Sequence, residues 1–146
     1  MIELTAYLSH SIRGENGVNA TQEEIEKNCK DAHELVDFIR KHVPELDAYV
    51  PAEHEEFVYL CYTQKFLTEK QILDIDCSIL EKKDLLLVLV KNGWVGGGIA
   101  TEIAHAKRKG IPIIYLYDTD SPAIKLMKLL EYVNATYMAL LTSDKL

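Results

Sequence analysis

Positive charge is scarce in this chain. Sixteen Lys and Arg stand against 23 Asp and Glu in 146 residues, a formal net charge of −7. Nucleic-acid polymers are held through clustered Lys and Arg on phosphates, so a polymer partner is not expected. A small nucleotide held by a few local donors remains open. Cysteine is sparse too. Cys29, Cys61 and Cys77 are odd in number and form no CxxC pair, which argues against a disulfide scaffold or zinc ribbon and fits a reducing cytoplasm. No apolar run approaches the roughly 20 residues that span a bilayer, and MIELTAYLSHSIRG is too polar and short for a signal peptide. Several motifs are missing. There is no Walker A, no GxSxG elbow and no Ser/Thr-rich flavin-phosphate loop. The glycine loop at Gly93–Gly98 is not GxGxxG and follows the third strand, so it is no dinucleotide fingerprint. Glu102 and His105 form one ExxH where a di-metal bundle needs two plus further carboxylates. No metal and no organic cofactor is expected.

What is present is a core. Hydrophobic residues make up 48%, and the length suits one domain over residues 1–146. Ile2 to Ser9 alternates as a first strand. A polar loop, His10 to Ala20, follows. Thr21 opens a capping box with Glu24, and a helix runs to about His42 with Ile25, Cys29, Ala32, Val36 and Ile39 as its apolar stripe. Leu46 to Val50 reads as a second strand. Ala52 to Lys65, acidic and then aromatic, reads as either a lid or a surface turn. Thr68 opens a second capping box with Gln71, and its helix reaches about Lys83 with Ile72, Ile75, Ile79 and Leu80 inward. Leu85 to Val90 is a buried third strand. A helix then starts near Gly98, a fourth strand spans Ile111 to Tyr117, and Pro122 stands at a first helical position. A helix over Ala123 to Tyr132 and a fifth strand over Ala135 to Leu141 complete the pattern. The alternation predicts an α/β fold, single-domain and doubly wound (flavodoxin- or Rossmann-like), with a five-stranded parallel sheet and helices on both faces.

In such folds the site lies at the carboxyl ends of the strands where connections change direction. Three polar clusters belong there. Tyr7, Ser9, Ser11, Arg13 and Gly14 end the first strand and suit an anion. Asp76, four residues before Leu80, faces the sheet, whereas Asp74 does not. Glu102 sits in the first turns of the helix after the glycine loop, where the helix N-terminus is expected to hold it ionised. Two carboxylates beside an anion loop suit metal-free glycosidic chemistry. His33, His42 and His54 have no ligand-like partners and read as surface groups.

Three ordered stretches, YLSHSIRG (Tyr7–Gly14), DCSILEKKDLLLVLV (Asp76–Val90) and GGGIATEIAHAKRKGIPII (Gly96–Ile114), give a resemblance. The chain resembles the nucleoside 2-deoxyribosyltransferase superfamily, nearest to its 2′-deoxynucleoside 5′-monophosphate N-glycosidase branch. The resemblance implies that Glu102 is the nucleophile attacking C1′, that Asp76 contacts the sugar and handles a proton, and that Tyr7 lies beside both. It implies that Ser11, Ile12, Arg13 and Gly14 surround sugar and phosphate, with the helix end at Gly98. It also implies a homodimer or larger homo-oligomer, in which Lys125 reaches a neighbour's phosphate. The chain departs from the family at Gly96, where a Ser or Asp is usual, and its loop is about two residues longer, with Trp94 available to stack on a base. GGGIATE also resembles the glycine motif of cytokinin-activating phosphoribohydrolases. The expected function is cleavage or transfer of the N-glycosidic bond of a nucleoside or nucleoside 5′-monophosphate. The alternatives are a non-catalytic nucleotide-binding module and, third, a structural subunit on the same fold.

Overall fold

The computed structural model describes residues 3–54, 60, 64 and 67–143. Four parallel strands form one sheet: β1 (Leu4–Ser9), β2 (Leu46–Tyr49), β3 (Leu85–Val90) and β4 (Ile113–Tyr117), in the order β2-β1-β3-β4. Among the described residues, four long helices accompany them: α1 (Gln22–His42), α2 (Glu69–Leu80), α3 (Gly97–Lys109) and α4 (Pro122–Leu141). Two 3₁₀ turns, Gly14–Asn19 and Pro51–His54, follow β1 and β2.

The strand sequences explain the layering. All six residues of β3 are buried, as expected of a central strand covered on both faces. Leu85, Leu87 and Leu89 join Ala6 and Leu8 against Cys29, Ala32, Val36 and Ile39 of α1 and Leu129 and Val133 of α4. Leu86, Val88 and Val90 join Tyr7 against Leu80 of α2 and Ile99 and Ala106 of α3. Side chains alternate along a strand, so α1 and α4 cover one face and α2 and α3 the other. Ala6 stands opposite Leu85 and Leu4 opposite Leu46. The connection from β1 leads to one sheet edge and that from β3 to the other, which opens a crevice between their carboxyl ends.

Local signals set the helix starts. Thr21 accepts from Glu24 N–H at 3.1 Å while Glu24 accepts from Thr21 N–H at 3.2 Å, a complete capping box. Thr21→Ala is expected to cost about 1 kcal/mol, read as a lower urea midpoint with an unchanged slope. Thr68 and Gln71 form the second box at α2. Ser121 caps α4 with Pro122 in its first turn.

Two expectations are corrected. Ala135–Leu141 is not a fifth strand but the end of α4, which runs unbroken to Leu141. No Gly or Pro separates Tyr132 from Ala135, and Leu126, Leu129 and Val133 continue at helical spacing toward the sheet. Ile75 does not face inward; it is 49% exposed. Cys77 and Leu80 define the buried side of α2, which turns Ile75 outward. Most of the Ala52–Lys65 stretch, including its aromatic part, lies outside the described residues, as does Cys61. Cys29 and Cys77 are both buried. Among the described residues no helix is long and apolar enough to cross a membrane.

Candidate active site

A cleft of about 300 Å³ occupies the crevice. Tyr7 enters it from β1, Ser11, Ile12, Arg13 and Gly14 from the following loop, Asp76 from α2, and Trp94, Gly96, Gly98 and Glu102 from the glycine loop and α3. Ser9 lies just beneath, fully buried. Tyr7 to Gly14 meet Glu102, 88 to 95 positions further along the chain, because β1 and β3 are neighbours. Lys125 is the exception among the expected residues. It lines a separate cavity of about 570 Å³ with Phe38 and Asp118.

Glu102 is the buried centre. It is 5% exposed and lies on the inward face of α3 with Ile99 and Ala106. The Ser9 hydroxyl donates to its Oε1 at 2.8 Å. Its Oε2 and the Tyr7 hydroxyl are both buried without a well-formed hydrogen bond, although Tyr7 stands close enough to stabilise the Glu102 carboxylate. Burial pushes the Glu102 carboxyl up to about 7, Tyr7 and Ser9 hold it down, and the Asp76 carboxylate adds to the rise. The sequence expectation of a carboxylate held ionised is therefore reversed. Glu102 is the sixth residue of α3, and desolvation outweighs the charge of the helix end. Burial also pushes Asp76 up to about 6. Tyr7 is raised well above its ordinary value by burial and then by the charges of Glu102 and Asp76.

The loop after β1 is fixed from behind. Gly14 N–H donates to Ser11 Oγ at 2.8 Å, and Gly14 has φ +73°, the left-handed region. Asn28 of α1 donates to the Ile12 carbonyl at 3.1 Å and accepts from Lys91 Nζ at 3.0 Å. Lys91 also binds Asp31. Arg13 pairs with Glu69 at 2.5 Å, bridging the loop to the first turn of α2.

The glycine loop carries its extra length as a tight turn. Asn92 and Gly93 have φ +54° and +67°, and Trp94 N–H returns to the Lys91 carbonyl at 3.0 Å. Two successive positive φ values at Asn-Gly are the signature of a type I′ turn. The turn swings the Trp94 indole onto Gly96, where a Cβ would meet the ring at 2.5 Å. Gly96 is thus the seat of Trp94. Gly96→Ala is expected to lift the indole, shift the emission of this sole tryptophan to longer wavelength and cost about 1 kcal/mol.

Two site features were not singled out by sequence. His10, one residue past β1, is 8% exposed and neither ring nitrogen makes a well-formed hydrogen bond. Burial lowers its pKa to about 4; the Ser11 backbone opposes the shift, and His33 and then Lys91 add to it. Asn28 sits beside the buried stripe of α1 and braces Ile12. Neither residue type nor spacing marks them; only strand register does. His33, expected at the surface, is half-buried with Nε2 3.0 Å from the Ala52 carbonyl, whereas His42 and His54 are exposed. His105 lies 3.0 Å from Glu81, and among the described residues no three metal-ligating side chains cluster.

No family model matches this chain, and no curated protein matches it. One solved structure shares its fold. It is described as a conserved protein from Enterococcus faecalis V583, is 25% identical, and superposes with a TM-score of 0.59 over 80% of this chain. The match takes in 65% of that protein, so this chain spans just under two thirds of its length. The likeness supports the parallel α/β architecture and carries no activity with it.

Proposed function

We propose that this protein cleaves, or transfers across, the N-glycosidic bond of a nucleoside or nucleoside 5′-monophosphate. The reading follows the resemblance to the nucleoside 2-deoxyribosyltransferase superfamily. One observation carries it best: the Ser9 hydroxyl fixes Glu102 Oε1, while Oε2 is buried without a well-formed hydrogen bond in a side chain that lines the cleft. A nucleophilic carboxylate needs one oxygen fixed and one available.

In the proposed reaction Glu102 Oε2 attacks C1′, the C1′–N bond breaks, and Asp76 supplies the proton the departing base takes up. Asp76 then removes a proton from water as its oxygen attacks C1′ and releases Glu102. A second base replaces water in the transfer reaction. Two displacements at one carbon give net retention. Tyr7 borders the nucleophile, and the N–H groups of Gly97 and Gly98 at the start of α3 face sugar or phosphate oxygens. Arg13, tied to Glu69, must exchange that partner to hold a phosphate. On the same resemblance the assembly is a homodimer or larger, and Lys125 serves a neighbouring copy rather than its own cleft.

The test is chromatography of products after incubation with ribo- and deoxyribonucleosides and their 5′-monophosphates, with and without a second free base. Free base released by wild type supports the reading. Binding without release by wild type and Glu102→Ala alike supports a nucleotide-binding module instead.

A further inference from the structure

The cleft does not end at Glu102. A recess of about 90 Å³ opens beside it, walled by Leu89 and Ile99 and shared with the cleft through His10 and Trp94. We infer that this recess receives the base of the substrate, with His10 bonding to the edge of an uncharged nitrogen heterocycle and Trp94 covering its face. The inference rests on the glycosidic reading and adds to it the residues that select the base.

Three observations converge. First, a buried imidazole whose nitrogens make no well-formed hydrogen bond is costly unless something completes it. His10 is such a group and lines both cavities. Second, the nearby charge and amide are already matched: Lys91 with Asp31, and Asn28 with Lys91 and the Ile12 carbonyl. The recess therefore offers no unmatched positive charge to a phosphate, and the Glu15 carboxylate on its wall would repel one. A neutral imidazole has one donor and one acceptor, whereas phosphate only accepts. The edge of a nucleobase carries both. Third, the Asn92–Gly93 turn and the bare Gly96 bring an indole to the mouth of this recess. An aromatic face there suits stacking with a planar ring.

The test uses the full chain and two probes, free adenine and free cytosine. In ¹⁵N spectra of histidine-labelled protein, either base is expected to move the His10 ring signals and fix one tautomer. His10→Leu should weaken binding of that base at least tenfold and raise KM for the nucleoside more than it changes kcat. His10→Gln, which restores a donor and an acceptor, should recover part of both. His10→Leu should also fold at least as stably as wild type, because an unpaired buried polar group is removed. Equal base binding by wild type and His10→Leu overturns the inference. So do unmoved His10 signals in wild type, which would mean that the recess holds water only. Base release with a KM indifferent to His10 removes this inference and leaves the glycosidic reading standing. No release from any substrate, with the His10 signals still shifting, removes that reading and keeps the base pocket.

Discussion

Glu102→Gln is expected to be about 3 kcal/mol more stable than wild type at pH 8, and equal to it at pH 4. The carboxyl titrates at 4.5 when unperturbed and at about 7 in the fold. Between those values the folded chain holds a proton that the unfolded chain has lost. Wild-type stability therefore falls as pH rises from about 4.5 to about 7, and the deficit is complete above it. Glutamine keeps the acceptor for Ser9 and never ionises, so it escapes the loss. Asp76 imposes a similar fall between 3.8 and about 6, but on both proteins. Urea unfolding at the two pH values measures the difference. A gap that is the same at both, or a less stable variant at pH 8, would show that burial does not oppress this carboxylate. A group kept at such a cost to the fold is a functional candidate on physical grounds.

Glu102→Ala should lower base release roughly 10³-fold or more, since removing a covalent nucleophile leaves only binding and positioning. The pH profile should be a narrow bell with limbs near 6 and 7. Below it both carboxyls are protonated and no nucleophile exists; above it both are ionised and no acid remains for the departing base. Between the limbs the pair holds one proton, mostly on Glu102, and the reactive form is the minor one with that proton on Asp76. The two limbs belong to the pair. Asp76→Asn should abolish the alkaline limb and leave a single acid limb, set by the ionisation of Glu102 alone. Its maximal rate should fall with the lost proton donor. A bell unchanged by Asp76→Asn would remove Asp76 from the proton transfer. Steady-state rates of free-base release across pH 4.5–9 decide it.

Much of this was readable from residue order, for reasons that particular elements make plain. β3 is six apolar residues in a row, a pattern that only a strand covered on both faces tolerates. The capping boxes at Thr21 and Thr68 are local chemistry and form as written. The end of α4 was not readable in the same way. Ala135–Leu141 contains residues that suit either state, and continuous packing from Leu129 and Val133 chose helix. At the site, Asp76 was singled out because its spacing to Leu80 points it toward the sheet, and Glu102 because it follows the glycine loop in the first turns of a helix. Their burial was not readable, and burial sets their ionisation. His10 escaped notice because nothing in a polar loop tells which residue the strand register drives inward. Trp94 and Gly96 look like a damaged motif in sequence. In three dimensions they are one contact, made by an Asn-Gly turn.

The most direct test of the central claim is the mass of the intact protein quenched during turnover of a deoxyribonucleoside or its 5′-monophosphate. The account predicts an added glycosyl unit, mapped to the peptide containing Glu102, lost on further incubation and absent from Glu102→Ala. Base released at full rate with no adduct in wild type, or with Glu102→Ala as active as wild type, would contradict it.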